Sequence, residues 1–279
     1  MKAKYKLALL VCLLAMGLSA GGCGVINELR AKDTLNQGVQ EYNDGKYEAA
    51  QEKFAHALEL SPDMVNAKLF HAHTIKAQFD QNASEELGLQ ALKEYDKIIA
   101  ENTGKEKIID QALGFEIKIY ETLARNAGAK DDKNKQLQYV EDQRTAMVKR
   151  AENSSDNNVK AATYHALAAS YWDESYYGNS QQYTTYNRPI PPDVIAKMKP
   201  LVAKGLAHID ESLKLNSDPP DAWVFKRLLL YEQLKTETNP ENKKALEARI
   251  KETGETYEKK RKEQQDKQAS EGGTQAAAQ

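Results

Sequence analysis

The segment from Thr34 to Pro62 alternates apolar and polar residues with the period of a helix. Its second half carries an apolar stripe at spacings of seven and four residues: Tyr47, Phe54 and Leu58. Such spacings place side chains on one face of a helix. Turn-forming residues interrupt the pattern at Asn43-Asp44-Gly45 and again at Ser61-Pro62-Asp63, and each turn is expected to end a helix. The pattern therefore predicts two consecutive antiparallel helices.

This helix pair resembles one tetratricopeptide repeat (TPR), a motif with a period of about 34 residues. The matching positions lie within 31–64 and are Gly38, Tyr42, Gly45, Tyr47, Ala50, Phe54, Ala57 and Pro62. Gln37 departs from the pattern, because leucine is usual before Gly38. Gly38 and Ala50 are small, as expected where two helices cross closely.

A looser rhythm of helix pairs covers the rest of the chain. The predicted pairs are 65–79 with 85–101, 107–127 with 135–152, 160–172 with 192–215, and 221–235 with 242–265. Pro200 is expected to kink or break its helix. Because one pair cannot bury its own apolar faces, neighbouring pairs must stack on it. We therefore predict an all-α fold, a TPR-like α-solenoid of about five antiparallel helix pairs over 33–265, the later ones degenerate. The polar tail 266–279 is expected to be disordered.

The first 22 residues have the order of a secretory signal peptide. Lys2, Lys4 and Lys6 precede an uncharged run over 7–18, and small residues follow at 19–22. The apolar run is shorter than the ~20 residues that a membrane-spanning helix needs. Residues 1–22 are therefore predicted to direct export and to be removed.

The stretch Ser19-Ala20-Gly21-Gly22-Cys23 resembles the bacterial lipobox, although Ala20 stands where leucine is commonest. The resemblance implies cleavage before Cys23 and acylation (for example with palmitate) of that residue. Residues 23–32 would then form a short tether with a reach of at most about 30 Å. Gly24, in place of Asp, implies sorting to the outer membrane, facing the periplasm, if the cell is Gram-negative. The alternative is cleavage after Ala20, which leaves Cys23 as a free thiol.

The cysteine count bears on the predicted acylation, and the net charge bears on the kind of partner. Of two cysteines, Cys12 would leave with the signal peptide, so Cys23 has no partner for an internal disulfide and acylation is favoured. Removing three lysines from the 39 basic residues leaves 36 against 41 acidic ones, a net charge of about −5. This acidic balance argues against nucleic-acid binding, which needs a basic face.

The sequence contains none of the usual catalytic fingerprints. It has no G-x-S-x-G element, no phosphate-binding loop and no dinucleotide fingerprint. His71 and His73 are two residues apart, which directs them to different faces of a helix, so they do not form a metal pair. We therefore predict a protein that is not an enzyme and that has no cofactor or metal.

Tyrosines are concentrated in one segment, 171–193, which is predicted to be an insertion between two helices. Five of the fourteen tyrosines fall within it, together with a tryptophan: Tyr171, Trp172, Tyr176, Tyr177, Tyr183 and Tyr186. Tyrosine and tryptophan combine a large apolar area with a polar tip, which suits binding interfaces. Either this segment binds a partner, or it folds back and its rings complete the core.

The resemblance to TPR proteins also implies a concave groove lined by the first helix of each pair. It would place Leu35, Val39, Tyr42 and His73 in that groove. The predicted function is a non-catalytic scaffold or assembly adaptor of the cell envelope, with a protein or peptide partner. One alternative is a solute-binding accessory of a transport system that holds a small apolar or sugar ligand. A third possibility, an envelope hydrolase, would require His165 or His208 to meet carboxylates in a cleft.

Overall fold

A computed structural model describes the backbone of residues 24–276 and the side chains of residues 24–269, and all regular structure in this part of the chain is helical. Cys23 and the predicted signal peptide lie outside the described residues. The helices are α1 (24–43), α2 (Tyr47–Leu60), α3 (Val65–Asn82), α4 (Glu85–Glu101), α5 (Glu106–Ala129), α6 (Lys133–Asn153), α7 (Asn157–Ser175), α8 (Gln181–Thr185), α9 (Pro192–Leu215), α10 (Pro220–Thr236) and α11 (Pro240–Ala276), and a π-helical turn spans Tyr176–Ser180.

The chain divides into two compact units, which meet in sequence between Gln136 and Leu137. In the first unit, α2 packs on α3, α3 on α4 and α4 on α5. Fully buried side chains fill these contacts: Ala50, Phe54, Ala57, Ala67, Ala72, Ile75, Phe79, Ala91 and Tyr95. Each helix thus packs on its neighbour in the chain, which confirms the predicted all-α, TPR-like pairing.

The first helix pair crosses closely at Gly38, as its small side chain predicts. A Cβ atom at Gly38 would lie 2.6 Å from Cε1 and 2.9 Å from Cδ1 of Phe54, and Phe54 is fully buried. The turn after α1 uses Gly45 with a φ of 76°, a conformation that favours glycine. Gly38 and Gly45 therefore have the structural roles that the repeat resemblance predicts.

The second unit follows the same packing rule without a recognisable repeat. Helix α7 packs on α9, α9 on α10, and α10 on α11. Its core is aliphatic: Ala168, Val202, Leu206, Ile209, Leu213, Ala222, Leu229, Leu230, Leu246 and Ile250. Gly205 provides the close approach here, because a Cβ atom would lie 2.6 Å from Cδ2 of Leu229.

Several element boundaries differ from the sequence-based expectation. The residues 24–32, expected to be a tether, are helical, since no proline or further glycine follows Gly24 within this stretch. Nine residues of helix span only about 14 Å. At the other end α11 continues to Ala276 rather than stopping at 265, and Lys267, Gln268 and Ala269 at the start of this extension favour helix. Pro200 lies inside α9 without ending it. The residues two positions before and after it, Met198 and Val202, are both buried in the core and so keep the helix packed on each side of the proline.

The Tyr-rich segment is also more regular than predicted. Tyr171 and Trp172 belong to α7, and the chain then continues through the π-helical turn into α8. The irregular insertion is therefore limited to residues 186–191.

Candidate functional site

Three helices of the first unit carry matching stripes of side chains at helical spacing. The stripe on α1 is Leu35, Val39 and Tyr42; that on α3 is Phe70 and His73; that on α5 is Gln111, Phe115 and Lys118. Spacings of three, four and seven residues bring such side chains onto one face of each helix. Helices α1, α3 and α5, each the first of its pair, therefore each carry one of these stripes on a single side.

Aromatic rings connect these three stripes. Ring centroids lie 6.3 Å apart for Tyr42 and Phe70, 6.1 Å for Phe70 and His73, and 4.4 Å for His73 and Phe115. We call these four residues the ring row. All four are partly buried, so each ring keeps some accessible surface. The structure thus brings together two residues predicted from the sequence, Tyr42 and His73, with two that the sequence analysis missed.

Two fully buried rings support the ring row from below. Phe54 stacks on Phe70 with centroids 5.4 Å apart, and Tyr95 stacks on Phe115 at 5.6 Å. Stacked aromatic pairs contribute roughly 0.5–1.5 kcal/mol beyond the area they bury. Because the supporting rings belong to the core, the ring row is held in place before any ligand binds.

His73 occupies the centre of the ring row and is neutral. Its Nδ1 atom lies 2.6 Å from the Tyr95 hydroxyl oxygen, and its Nε2 atom lies 3.3 Å from the Gln111 side-chain nitrogen. Burial, together with the nearby Lys76 ammonium, lowers the pKa of His73 to about 4. A neutral imidazole has one donating and one accepting nitrogen, which matches these two contacts.

Cationic side chains lie at the edge of the ring row beside α5. The ammonium groups of Lys76 and Lys118 are each 6.0 Å from the Phe115 ring centroid, and Lys76 also pairs with Asp80 at 2.6 Å. The site can therefore receive apolar side chains on its rings and carboxylate or carbonyl oxygens at this edge. Leu35 and Val39 extend the stripe along α1 as partly buried aliphatic residues.

The six aromatic residues of the Tyr-rich segment do not form one site. Tyr171 is buried. Its ring stacks on His208 with centroids 5.7 Å apart, and the Cζ atom of the Arg144 guanidinium lies 4.0 Å from the Tyr171 ring centroid. Trp172 stacks on Tyr176 at 5.2 Å and contacts Tyr177 and Phe225 edge-on. Tyr183 is partly buried in α8, and Tyr186 is exposed beyond it.

We call Trp172, Tyr176, Tyr177 and Phe225 the α7 cluster. A buried polar network lies next to it: Ser180 donates to Glu232 at 2.7 Å, and Lys235 pairs with the same carboxylate and lies 3.3 Å from the Ser180 hydroxyl. Ser180 is fully buried, so this hydroxyl ties the π-helical turn to α10 and is closed to a substrate. Sequence reasoning missed this network, because 52 residues separate Ser180 from Glu232.

Two other histidines, His165 and His208, pack against aromatic rings. His208 stacks between Tyr164 and Tyr171, and His165 contacts Phe225 edge-on. Burial lowers the pKa of both. Among the described residues, no group of three or more histidine, cysteine or acidic side chains could hold a metal ion.

A separate cleft of about 740 Å³ lies between α10 and α11. Arg227, Tyr231, Leu234 and Ile250 line it together with acidic residues of α11. None of the six aromatic residues of the Tyr-rich segment contributes to this cleft. Over the described range 24–276, no helix is both long and apolar enough to cross a bilayer.

Comparison with known proteins gives a fold-level likeness. The crystal structure of a TPR repeats protein from Bacteroides fragilis NCTC 9343 is similar over 71% of this chain and 81% of its own, with 13% sequence identity and a TM-score of 0.46. No protein-family model matches the sequence, and no curated protein matches it. The TPR-like pairing follows from the packing of this chain's own helices.

Proposed function

We propose that this protein is a non-catalytic scaffold or assembly adaptor of the bacterial cell envelope, anchored by acyl chains on Cys23, which binds a protein or peptide through the ring row. The observation that carries the proposal is the continuity of the rings across α1, α3 and α5. An extended or helical segment needs such a surface, because its successive side chains must each find a contact.

The chemistry of the site favours a peptide-like partner. Partly exposed aromatic rings supply large contact area with little loss of side-chain freedom. Gln111, Lys76 and Lys118 supply hydrogen-bond donors at one edge, and a peptide backbone or an acidic side chain supplies acceptors. The neutral His73 adds no charge at the centre, where apolar side chains would lie.

The lipobox resemblance supports the anchor. Acylation would place the protein on the outer membrane, facing the periplasm, in a Gram-negative cell. Incorporation of a clickable fatty acid into the wild-type chain, but not into Cys23→Ala, is the expected result. A wild-type chain that takes up no label contradicts the anchor and leaves the ring row unaffected.

Photo-crosslinking in the native envelope tests the ring row. A photoreactive residue replaces Gln111 or Lys118, which lie exposed at the ring row, or Leu89, which is exposed on α4. We expect a discrete protein adduct at 111 and 118 and none at 89, with adduct formation reduced at least tenfold by Phe115→Ala.

Three other outcomes contradict the proposal. Adducts that persist undiminished in Phe115→Ala show that the rings do not contribute to binding. Adducts formed only from a further photoreactive residue at position 177 place the partner on the α7 cluster instead. A small molecule that copurifies with the chain, with no protein adduct, favours the solute-binding alternative.

A further inference from the structure

The first two turns of α1 carry large apolar side chains that no part of the described protein covers. Val25 is 69% exposed, Ile26 54% and Leu29 70%. Among the described residues only two other large aliphatic side chains are exposed, Leu89 at 46% and Leu137 at 48%, and they lie on other helices. The exposed apolar side chains are therefore concentrated within five residues of sequence.

These three residues lie on the side of α1 opposite the core. With about 3.6 residues per turn, they occupy one sector of roughly 100° around the helix axis. The buried residues Ala31, Thr34 and Gly38 lie on the other side, in a sector centred roughly 170° away. The helix thus has two apolar faces, and packing within the protein explains only one of them.

The outer apolar face ends after two turns. The next residues in the same sector are Asp33 and Asn36, both exposed. A helix that pairs with another along its length repeats apolar residues every three or four positions over several heptads. The outer face of α1 has no such continuation, which disfavours a helical protein partner.

Basic residues flank the outer apolar face. Arg30 follows it on one side and Lys32 on the other, and Lys32 pairs with Glu28 at 2.8 Å while remaining largely exposed. Lysine and arginine at such positions can keep their stems along an apolar phase and extend their charges to lipid headgroups. Apolar side chains flanked by cations are typical of a helix that inserts shallowly into a bilayer interface.

We propose that Val25, Ile26 and Leu29 insert into the lipid interface of the membrane and that the first two turns of α1 lie against the bilayer. This inference rests on the proposed acylation of Cys23 for its location, because α1 is already helical at residue 24. The acyl chains would hold the chain to the membrane, and the apolar face would fix which side of α1 points toward it. Tyr42, the ring-row residue on α1, lies on a different stripe of this helix, so this contact would also set the orientation of the ring row toward the membrane.

Depth measurement with a nitroxide label tests the inference. The acylated full chain is reconstituted into vesicles of phosphatidylethanolamine and phosphatidylglycerol, with a single label at Ile26→Cys or, as a matched control, at Leu89→Cys. Collision rates with oxygen, which concentrates in lipid, are compared with those of a water-soluble nickel complex. We expect an oxygen-to-nickel ratio at least fivefold higher at position 26 than at 89, and we expect Val25→Gln/Leu29→Gln to lower it toward the control.

Each other result overturns the inference. Equal ratios at 26 and 89 mean that the apolar face stays in water. Protection at 26 that appears without vesicles and increases with protein concentration, with spin–spin broadening between labels, means that a second copy covers the face. The mass of the chain in the same sample shows separately whether Cys23 is acylated; if it is not, binding of the unacylated chain to these vesicles, weakened at least tenfold by Val25→Gln/Leu29→Gln, still tests the apolar face alone.

Discussion

The ring row of the first unit and the rings of the second differ in what surrounds them. In the second unit, cations lie directly over the rings: Arg144 is 4.0 Å from the Tyr171 centroid and Lys235 is 5.0 Å from that of Tyr176. These cations are also paired with carboxylates inside the unit. In the ring row, the nearest cations are farther away: the ammonium groups of Lys76 and Lys118 lie over the Phe115 ring at 6.0 Å from its centroid.

This difference shows how one type of side chain can serve two purposes. Rings whose faces are covered by internally paired cations contribute to cohesion and have little left to offer a ligand. Rings that rest on a buried aromatic floor, with cations no closer than 6.0 Å to a ring centroid, keep more of their surface available. A concentration of tyrosines in the sequence is therefore weaker support for a binding site than rings that line up across neighbouring helices.

The largest expected effect comes from removing the buried cation of the second unit. Arg144 is 2% exposed, pairs with Glu174 at 2.7 Å and donates to the Ser170 carbonyl at 2.7 Å. Arg144→Gln leaves these acceptors without their charged donor, so we expect a loss of about 3 kcal/mol in the free energy of unfolding. Urea denaturation measures the loss, and hydrogen exchange assigns it to the second unit.

Arg261→Gln is the matched control for this change. Arg261 pairs with Glu258 at 2.8 Å but is 52% exposed, and exposed pairs contribute little. A loss as large for Arg261→Gln as for Arg144→Gln contradicts the view that burial makes the difference.

The two glycine crossings provide the next test. Gly38→Ala drives a Cβ atom into the rigid ring of Phe54, whereas Gly205→Ala meets the terminal methyl of Leu229, which can rotate. Overpacking typically costs 1–3 kcal/mol, so we expect about 2 kcal/mol at Gly38 and about 1 kcal/mol at Gly205. Thermal and urea unfolding of both variants give the comparison, and a reversed order means that the ring of Phe54 moves more easily than the packing indicates.

A smaller effect depends on pH. The pKa of His73 is about 4 in the folded protein against about 6.5 when unfolded. Between about pH 6.5 and pH 4, the imidazole therefore binds a proton in the unfolded chain but not in the folded protein. The stabilisation from the neutral form is complete above pH 6.5 and is lost as the pH falls toward 4. Between pH 7 and about 5 we expect the first unit to lose on the order of 1 kcal/mol more in wild type than in His73→Gln. Parallel pH profiles for the two proteins contradict the assignment.

The smallest expected change is at Tyr177. This residue is 60% exposed at the edge of the α7 cluster, so Tyr177→Ala is expected to change the unfolding free energy by less than about 0.5 kcal/mol and to leave partner crosslinking at Gln111 intact. Phe115→Ala in the same assays is the counterpart that should reduce crosslinking at least tenfold. Loss of crosslinking in Tyr177→Ala contradicts the separate roles of the two sets of rings.

The helical framework was predictable from the sequence because helix ends have local causes. The bounds predicted for α9, 192–215, agree with the structure, since Pro192 can begin a helix and the residues after Leu215 form a turn. The start of α1 was harder to predict. Val25, Ile26 and Leu29 are apolar but do not belong to its core face, so they obscure the helical spacing of the apolar residues.

The ring row was only partly predictable. Tyr42 and His73 follow from the position of the recognisable repeat. Phe70 lies on α3, whose apolar residues surround the axis so that no single stripe stands out, and Phe115 lies on α5 outside the set of residues that this helix buries. The network of Ser180, Glu232 and Lys235 depends on the packing of α10 against the π-helical turn. Because 52 residues separate Ser180 from Glu232 in the sequence, no local pattern indicates this network.

The length of α11 has a consequence of its own. At 37 residues it extends about 55 Å, roughly twice the length of α10, and its buried residues end at Thr253. The packed turns act as a nucleus, so the outer turns add by propagation alone and avoid the unfavourable first step of helix formation. The far end of α11 should therefore fray and re-form rapidly, with an average length that depends on temperature and on the helix propensity of its residues.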